Sequence, residues 1–309
     1  MAIIGCVGSG LVGRSWAIVF ARAGHQVRLW DSRPSADAVA SLAATLEGLA
    51  REGAIPSLGD VASRISFADS LKQAVSGADY VQESISERVD AKRELLRDLD
   101  AILPPHTIVG SSTSSIPASA FMAGLACSAR CLIVHPVNPP HLIPLVELCP
   151  SPETAPETVE QTSALMTALG QRPIMVAREV EGFILNRLQW ALLSEAMHLV
   201  GEGYCTPEDV DAVVTHGLAR RWAHLGPLAV GHLNAATGLE GYFDGLGEAI
   251  TRVRDTLRTD YVPSEQTIAR AHAALEARMP VSNLSDHAAT RDRRILALNR
   301  LLQDFEQQG

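Results

Sequence analysis

Basic residues are the minority in this chain: 26 Lys and Arg stand against 35 Asp and Glu, a net charge of −9, and no block of cations interrupts it. Phosphate backbones demand a basic footprint, so no nucleic-acid partner is expected. Cysteine is sparse. The five present (Cys6, Cys127, Cys131, Cys149, Cys205) are an odd number scattered over 309 residues. Only Cys127 and Cys131 lie close together, and they lack the second ligand pair that a zinc site wants. All five read as reduced thiols, no metal is expected, and a reducing compartment is implied. Long apolar runs are missing too, since no stretch reaches the roughly 18 to 20 residues of a membrane span. Ile3–Val7 is too short for a signal core and runs straight into a glycine loop. The expectation is a cytoplasmic protein that neither crosses nor binds a membrane. Internal repeats and low-complexity linkers are also lacking.

What is present is 47% apolar content, enough to bury a large core, in a length that suits about two domains. The first half alternates short apolar runs with helical patterns, the signature of a parallel sheet wrapped by helices. Expected strands are Ile3–Val7, Gln26–Trp30, Tyr80–Ile85, Thr107–Gly110, Cys131–Val134, Leu145–Leu148 and Ile174–Val176. Helical patterns occupy Ala36–Glu52 and Ala91–Leu103, the second stopped by Pro104 and Pro105. Strand signals stop after about residue 182. Leu185–Val200 and Arg291–Gln308 read as helices, and Thr206–Asp209 reads as an N-cap with proline at the first helical position. The expected plan is an α/β domain over residues 1–182 and an all-helical domain over 183–309, meeting near Val180–Asn186.

Gly8, Gly10 and Gly13 follow the first apolar strand and open a helix. Such a loop alone is weak evidence, but Gln26–Trp30 ends in Asp31, about 18 residues after the last glycine, where a dinucleotide fold needs an acid for the adenosine ribose hydroxyls. Glycines let the backbone approach a pyrophosphate, and the N–H groups of the helix start, at Leu11 and Val12, supply partial positive charge. The first domain therefore reads as a Rossmann-type doubly wound sheet. Asp31 would repel a 2′-phosphate, which favours NAD over NADP.

Three later segments offer chemistry: Ser111–Ser115, His135–Pro140 and Pro144–Glu147. In a doubly wound sheet ligands gather at the carboxyl ends of the strands, which points the first two segments at the nicotinamide end. Hydride leaving an alcohol carbon strands a proton on oxygen, and histidine, which titrates near neutrality, is the natural group to remove it. A carboxylate on the far ring nitrogen would fix its tautomer. His135 and Glu147, on consecutive strands, form the candidate pair.

Taken in order, Gly8–Gly13, Ser111–Ser115, His135–Pro140, Pro144–Glu147 and Gly182–Arg187 resemble the 3-hydroxyacyl-CoA dehydrogenase superfamily over roughly residues 3–240. Within it the wording resembles most the lambda-crystallin group, whose enzymatic members are L-gulonate 3-dehydrogenases. The resemblance implies His135 as acid/base, Glu147 as its orienting carboxylate, and Ser114 and Asn186 on the substrate oxygen and histidine side. It implies Glu87 and Lys92 as contacts to the nicotinamide-side ribose, with Ser112 beside them where acyl-CoA enzymes carry asparagine.

Acyl-CoA carries several phosphate charges, and the stretch after Asp31 offers only Arg33, Arg51 and Arg64 against Asp37, Glu47, Glu52 and Asp60. The expected substrate is a small 3-hydroxy acid of the L-gulonate kind. Acyl-CoA and carnitine oxidation are the alternatives within the family, and a crystallin-like structural role is the alternative outside enzymes. A free carboxylate needs a cation, and Arg221, expected just after a helix end, is the candidate. The resemblance and apolar segments such as Gly226–Val230 lead to an expected homodimer through the helical domain.

Overall fold

The computed structural model describes residues 1–33 and 35–308. They form two compact units, Met1–Asn186 and Arg187 onward.

The first unit is built on an eight-stranded sheet ordered β3-β2-β1-β4-β5-β6-β7-β8. Its strands are β1 (Ile3–Val7), β2 (Gln26–Trp30), β3 (Ile65–Phe67), β4 (Tyr80–Glu83), β5 (Ile108–Ser111), β6 (Cys131–Pro136), β7 (Leu145–Pro150) and β8 (Arg172–Met175). The first six follow the 3-2-1-4-5-6 order of dinucleotide-binding sheets. Helix α1 (Leu11–Arg22) returns the chain from β1 to β2, and α2 (Ala36–Arg51), α3 (Leu58–Ser63) and α4 (Leu71–Val75) follow. Helix α5 (Val89–Ile102) then joins β4 to β5, α6 (Ser119–Met122) follows β5, and α7 (Pro156–Ala168) joins β7 to β8. Trp16 and Phe20, fully buried on α1, stack at 5.6 Å, and Phe20 meets Tyr80 of β4 at 5.7 Å. A second buried layer sets Val7, Val81, Val109 and Ile133 of the central strands against Leu95, Leu96 and Leu99 of α5.

Two features depart from the sequence expectation. Strand β3 was not expected: three residues, largely exposed, are too few to show an alternation. The sheet is also not parallel throughout. β6 and β7 pair antiparallel, with His135 directly opposite Glu147, while β7 and β8 run parallel to each other. An eight-residue connection, 137–144, suits this reversal, because a parallel return needs a crossover of a dozen residues or more. Directly opposed residues of an antiparallel pair project on the same face. The reversal is therefore what brings the two candidate acid/base groups together.

Among its described residues the second unit's regular elements are all helical: α8 runs Leu185–Gly201 across the unit boundary, followed by α9 (Pro207–Ala212) with Thr206 and Asp209 forming a reciprocal cap. A π-helical turn, Val213–Leu218, continues α9 into the short helix Ala219–Trp222. Arg220 and Arg221 thus lie inside a continuing helix and not after a helix end, because Gly217 keeps a helical backbone instead of terminating it. The remaining helices are Pro227–Leu233, Gly238–Thr256, Glu265–Arg278 and Leu284–Gln308. Among the described residues no helix is long and apolar enough to cross a membrane.

Candidate active site

The β1–α1 turn is shaped by its glycines. Gly8 adopts φ +104°, and a Cβ there would sit 2.4 Å from the Ser84 carbonyl oxygen. A Cβ on Gly13 would lie 1.8 Å from the Gly8 carbonyl oxygen, so α1 could not approach β1 with any side chain in that place. Gly10 differs: its φ is −63° and a Cβ would meet nothing within 4 Å. Neither backbone conformation nor protein packing demands glycine at Gly10. The open space above it leaves room for a ligand to approach the backbone, as a pyrophosphate would. Helix α1 has no side chain bonded at its N-cap and no acid in its first turn, so the N–H groups of its first turn, including Leu11 and Val12, face an anion without competition.

Asp31 ends β2 and accepts from the Ser9 amide (2.7 Å), the Ser9 hydroxyl (3.0 Å) and the Arg33 amide (3.0 Å). Partial burial would raise its pKa, but these hydrogen bonds and the Arg33 charge outweigh it, and Asp31 sits below the usual carboxylate range. It lines a cleft of about 610 Å³ with Trp30, Ser35, Phe67 and Leu71, the natural seat of an adenosine. Replacing Asp31 by alanine should weaken NAD binding and relax discrimination against NADP. Fluorescence titration with NADH and NADPH tests this, and unchanged constants for both would mean that Asp31 reads no ribose.

His135, near the end of β6, is almost fully buried. Its Nδ1 lies 2.7 Å from Glu147 Oε2, which leaves Nε2 as the nitrogen open to chemistry. Glu147 Oε1 accepts from the amides of Ile184 (2.8 Å) and Leu185 (2.9 Å) at the start of α8. Burial of Glu147 opposes its charge. The bonds from His135, Leu185 and Ile184, together with the His135 charge, prevail and hold its pKa below the usual range.

Residues 182–186 touch the site one after another. The Gly182 amide donates to the Ser115 carbonyl (3.2 Å), the Phe183 ring packs on the His135 ring (5.3 Å between centroids), and Asn186 Nδ2 donates to the Ser114 carbonyl (2.5 Å). Phe183 holds φ +51°, a left-handed conformation costing a non-glycine residue roughly 1–3 kcal/mol. Its full burial against the imidazole offsets that cost.

The serine segment is held from below. Glu83, fully buried at the end of β4, receives both Lys92 Nζ (2.8 and 3.0 Å) and the Ser111 hydroxyl. One oxygen of Glu87 accepts from the Thr113 hydroxyl (2.6 Å) and the amides of Ser114 (2.8 Å) and Ser115 (3.0 Å). Burial raises the Glu87 pKa, but the Thr113 bond, the Lys92 charge and the two amides bring it below the ordinary value.

Two of the expected cofactor contacts are engaged within the protein itself. Lys92 is 1% exposed, its ammonium enclosed between Glu83 and Glu87 (3.6 Å), where it supports the serine segment. Ser112 is buried, with its hydroxyl engaged by Trp16, Gln82 and Ser84. Glu87 keeps 39% of its side chain exposed and stays a candidate cofactor contact, and Ser114 is exposed on the same segment. Glu83 and Phe183 were missed in the sequence. Glu83 had a signal, a charge inside the apolar run Tyr80–Ile85; Phe183 had only its place in the segment Gly182–Arg187, where an aromatic among apolar residues reads as core.

All five cysteines are free thiols, and no group of three potential ligands capable of holding a metal ion occurs among the described residues. A glycine cradle, an acid on the second strand and a buried His–Glu pair on β6 and β7 of the same sheet define a nicotinamide-dependent dehydrogenase. The chain belongs to the 3-hydroxyacyl-CoA dehydrogenase family. The model for the family's NAD-binding domain matches residues 3–180, and that for its C-terminal domain matches residues 182–269. The lambda-crystallin homolog of Bos taurus is 43% identical over 98% of this chain and 97% of its own. An L-carnitine dehydrogenase of Streptomyces griseus is 36% identical over 96% and 89%. Among solved structures, the NAD+-dependent 5-formyl-3-hydroxy-2-methylpyridine 4-carboxylic acid 5-dehydrogenase superposes with a TM-score of 0.79 at 30% identity, covering 98% of this chain and 99% of that one. The protein is an NAD-dependent hydroxy-acid oxidoreductase.

Proposed function

We propose that the chain oxidises the 3-hydroxyl of a small free hydroxy acid of the L-gulonate kind to the 3-keto acid, with His135 as the proton acceptor. A bound NAD would supply the hydride acceptor for C3. The alcohol proton passes to His135 Nε2 as the C–O double bond forms, and Glu147 stabilises the resulting imidazolium. In the reverse direction the same nitrogen returns the proton. Ser114 and Asn186 are the candidates for holding the substrate oxygen beside the imidazole. The observation that carries this reading is the His135–Glu147 bond with Nε2 left open.

The choice of a free acid over acyl-CoA rests on charge. Of the three arginines between residues 33 and 64, Arg64 donates its guanidinium to the Ala21 carbonyl, leaving still fewer cations for CoA phosphates. NADH formation should be measured with gulonate, carnitine, 3-hydroxybutyrate and 3-hydroxybutyryl-CoA. Gulonate as the best substrate is the expected outcome, and 3-hydroxybutyryl-CoA or carnitine in first place would overturn it.

Arg221, exposed on its helix, is the candidate for reading the carboxylate. Arg221→Met should raise KM for the hydroxy acid by roughly ten- to a hundred-fold, the size of a charge-assisted hydrogen bond, and leave NADH affinity intact. Equal losses with an uncharged secondary alcohol would remove Arg221 from that role. The helical unit also exposes Leu188, Trp190 and Leu193 on α8, with Trp190 60% accessible. Exposed apolar side chains of this size suit a homodimer, and sedimentation showing a concentration-independent monomer would exclude one.

A further inference from the structure

Beneath the cofactor cradle lies a chain of polar groups that the chemistry above does not use. Tyr80, buried on β4, places its hydroxyl 2.7 Å from Gln82 Oε1. Gly110 makes room for it, since a Cβ there would fall 2.0 Å from that hydroxyl. Gln82 Nε2 lies 2.7 Å from Ser112 Oγ and 3.5 Å from the Val134 carbonyl oxygen. Trp16 Nε1 lies 3.1 Å from Ser112 Oγ, and Ser84 Oγ lies 2.9 Å from it.

The direction of each bond follows from what each group is able to do. Burial raises the Tyr80 pKa well above the ordinary phenol value, so the hydroxyl keeps its proton and donates it to Gln82 Oε1. The Val134 carbonyl is an acceptor only, which fixes the other end of the amide as NH2. That NH2 donates to Ser112 Oγ. Trp16 Nε1 is a donor only and gives Ser112 its second incoming bond. With both lone pairs of Ser112 filled, its single proton goes to Ser84. Ser84 Oγ is therefore an acceptor toward the core, and its own proton points away from it.

Ser84 follows β4 at the point where the strand order reverses around β1. Its carbonyl abuts Gly8, and its Cβ lies 3.5 Å from where a Gly13 Cβ would be. A dinucleotide crossing the glycine loop passes this residue, which is half-buried. We infer that Ser84 is a cofactor-binding residue, donating its hydroxyl proton to an oxygen of the dinucleotide on the nicotinamide side of the pyrophosphate. Ser112, fixed by Trp16 and Gln82, sets that proton's direction without touching the ligand. A buried network with every member satisfied holds one orientation of its end group, which spares the cofactor the cost of ordering it.

Ser84→Ala separates this role from packing. Binding of NADH, ADP-ribose and AMP should be measured by titration on wild type and variant. AMP reports the adenosine cleft around Asp31 and, in the same sample, an intact fold. AMP affinity should stay unchanged, while NADH weakens by about 3- to 10-fold, the value of one neutral hydrogen bond. ADP-ribose should follow NADH, since it keeps the ribose and phosphate oxygens and lacks only the nicotinamide ring. Unchanged NADH binding would overturn the assignment. So would an equal loss for AMP, which would make Ser84 a support of the whole cradle.

Discussion

Exchanging His135 for glutamine should lower turnover by about 10²- to 10⁴-fold, the range that a positioned general acid/base contributes, while NADH affinity stays where it was. At 1.36 kcal/mol per decade this raises the barrier by roughly 2.7 to 5.4 kcal/mol. The separation of the two effects follows from the fold. His135 lies on β6, whereas the cofactor cradle is built from the ends of β1, β2 and β4. Stability should hold as well, because glutamine retains an N–H that Glu147 Oε2 can accept, so the buried carboxylate keeps its partner. Steady-state kinetics paired with NADH titration and thermal melts tests all three. Near-wild-type turnover in a folded, NADH-binding variant would remove His135 from the chemistry.

Much of this site is readable from the sequence, for a physical reason. The glycine loop, Asp31 and the strand-end segments are local signals, with spacing set by one turn or one strand–helix unit. The His135–Glu147 pairing was also legible as two residues on consecutive strands. What the sequence leaves open is the sense of that pairing, since a run such as Leu145–Leu148 reads the same in either direction. The serine segment shows the other limit. Ser111–Ser115 is visible as a motif, but its support comes from Glu83, Glu87 and Lys92, through bonds that span as many as 28 residues. Lys92 is the instructive case. A lysine near a helix start reads as solvated or ligand-facing, and only the fold shows two carboxylates converging on it to make full burial tolerable. The helix end expected before Arg221 failed more locally, because a glycine inside a helical pattern reads as a stop where the chain instead makes a π-turn.

Glu147→Gln should reduce turnover on the order of 10²-fold, at the lower end of the acid/base range. The loss comes from geometry and not from charge alone. In the wild type one carboxylate oxygen accepts two backbone amides, Ile184 and Leu185, and the other accepts from His135 Nδ1. Glutamine has one carbonyl oxygen for these three donors. If that oxygen serves the amides, its NH2 faces His135 Nδ1, which must then become the acceptor and leave the proton on Nε2. An imidazole in that tautomer has no lone pair for the substrate proton. If the oxygen serves His135, two part-buried amides face an NH2 group, at up to roughly 1–3 kcal/mol for each donor left unmatched. The variant thus loses turnover in one arrangement and stability in the other.

Acidification separates the two contributions. The Glu147 pKa is depressed in the folded protein, so its stabilisation is fully present above the ordinary glutamate value and fades as pH falls through the lower folded value. The wild-type advantage in melting temperature over Glu147→Gln should accordingly be largest near neutral pH and shrink in acid. A constant difference across that range, together with unchanged turnover, would show that Glu147 neither anchors the start of α8 through its charge nor sets the imidazole tautomer.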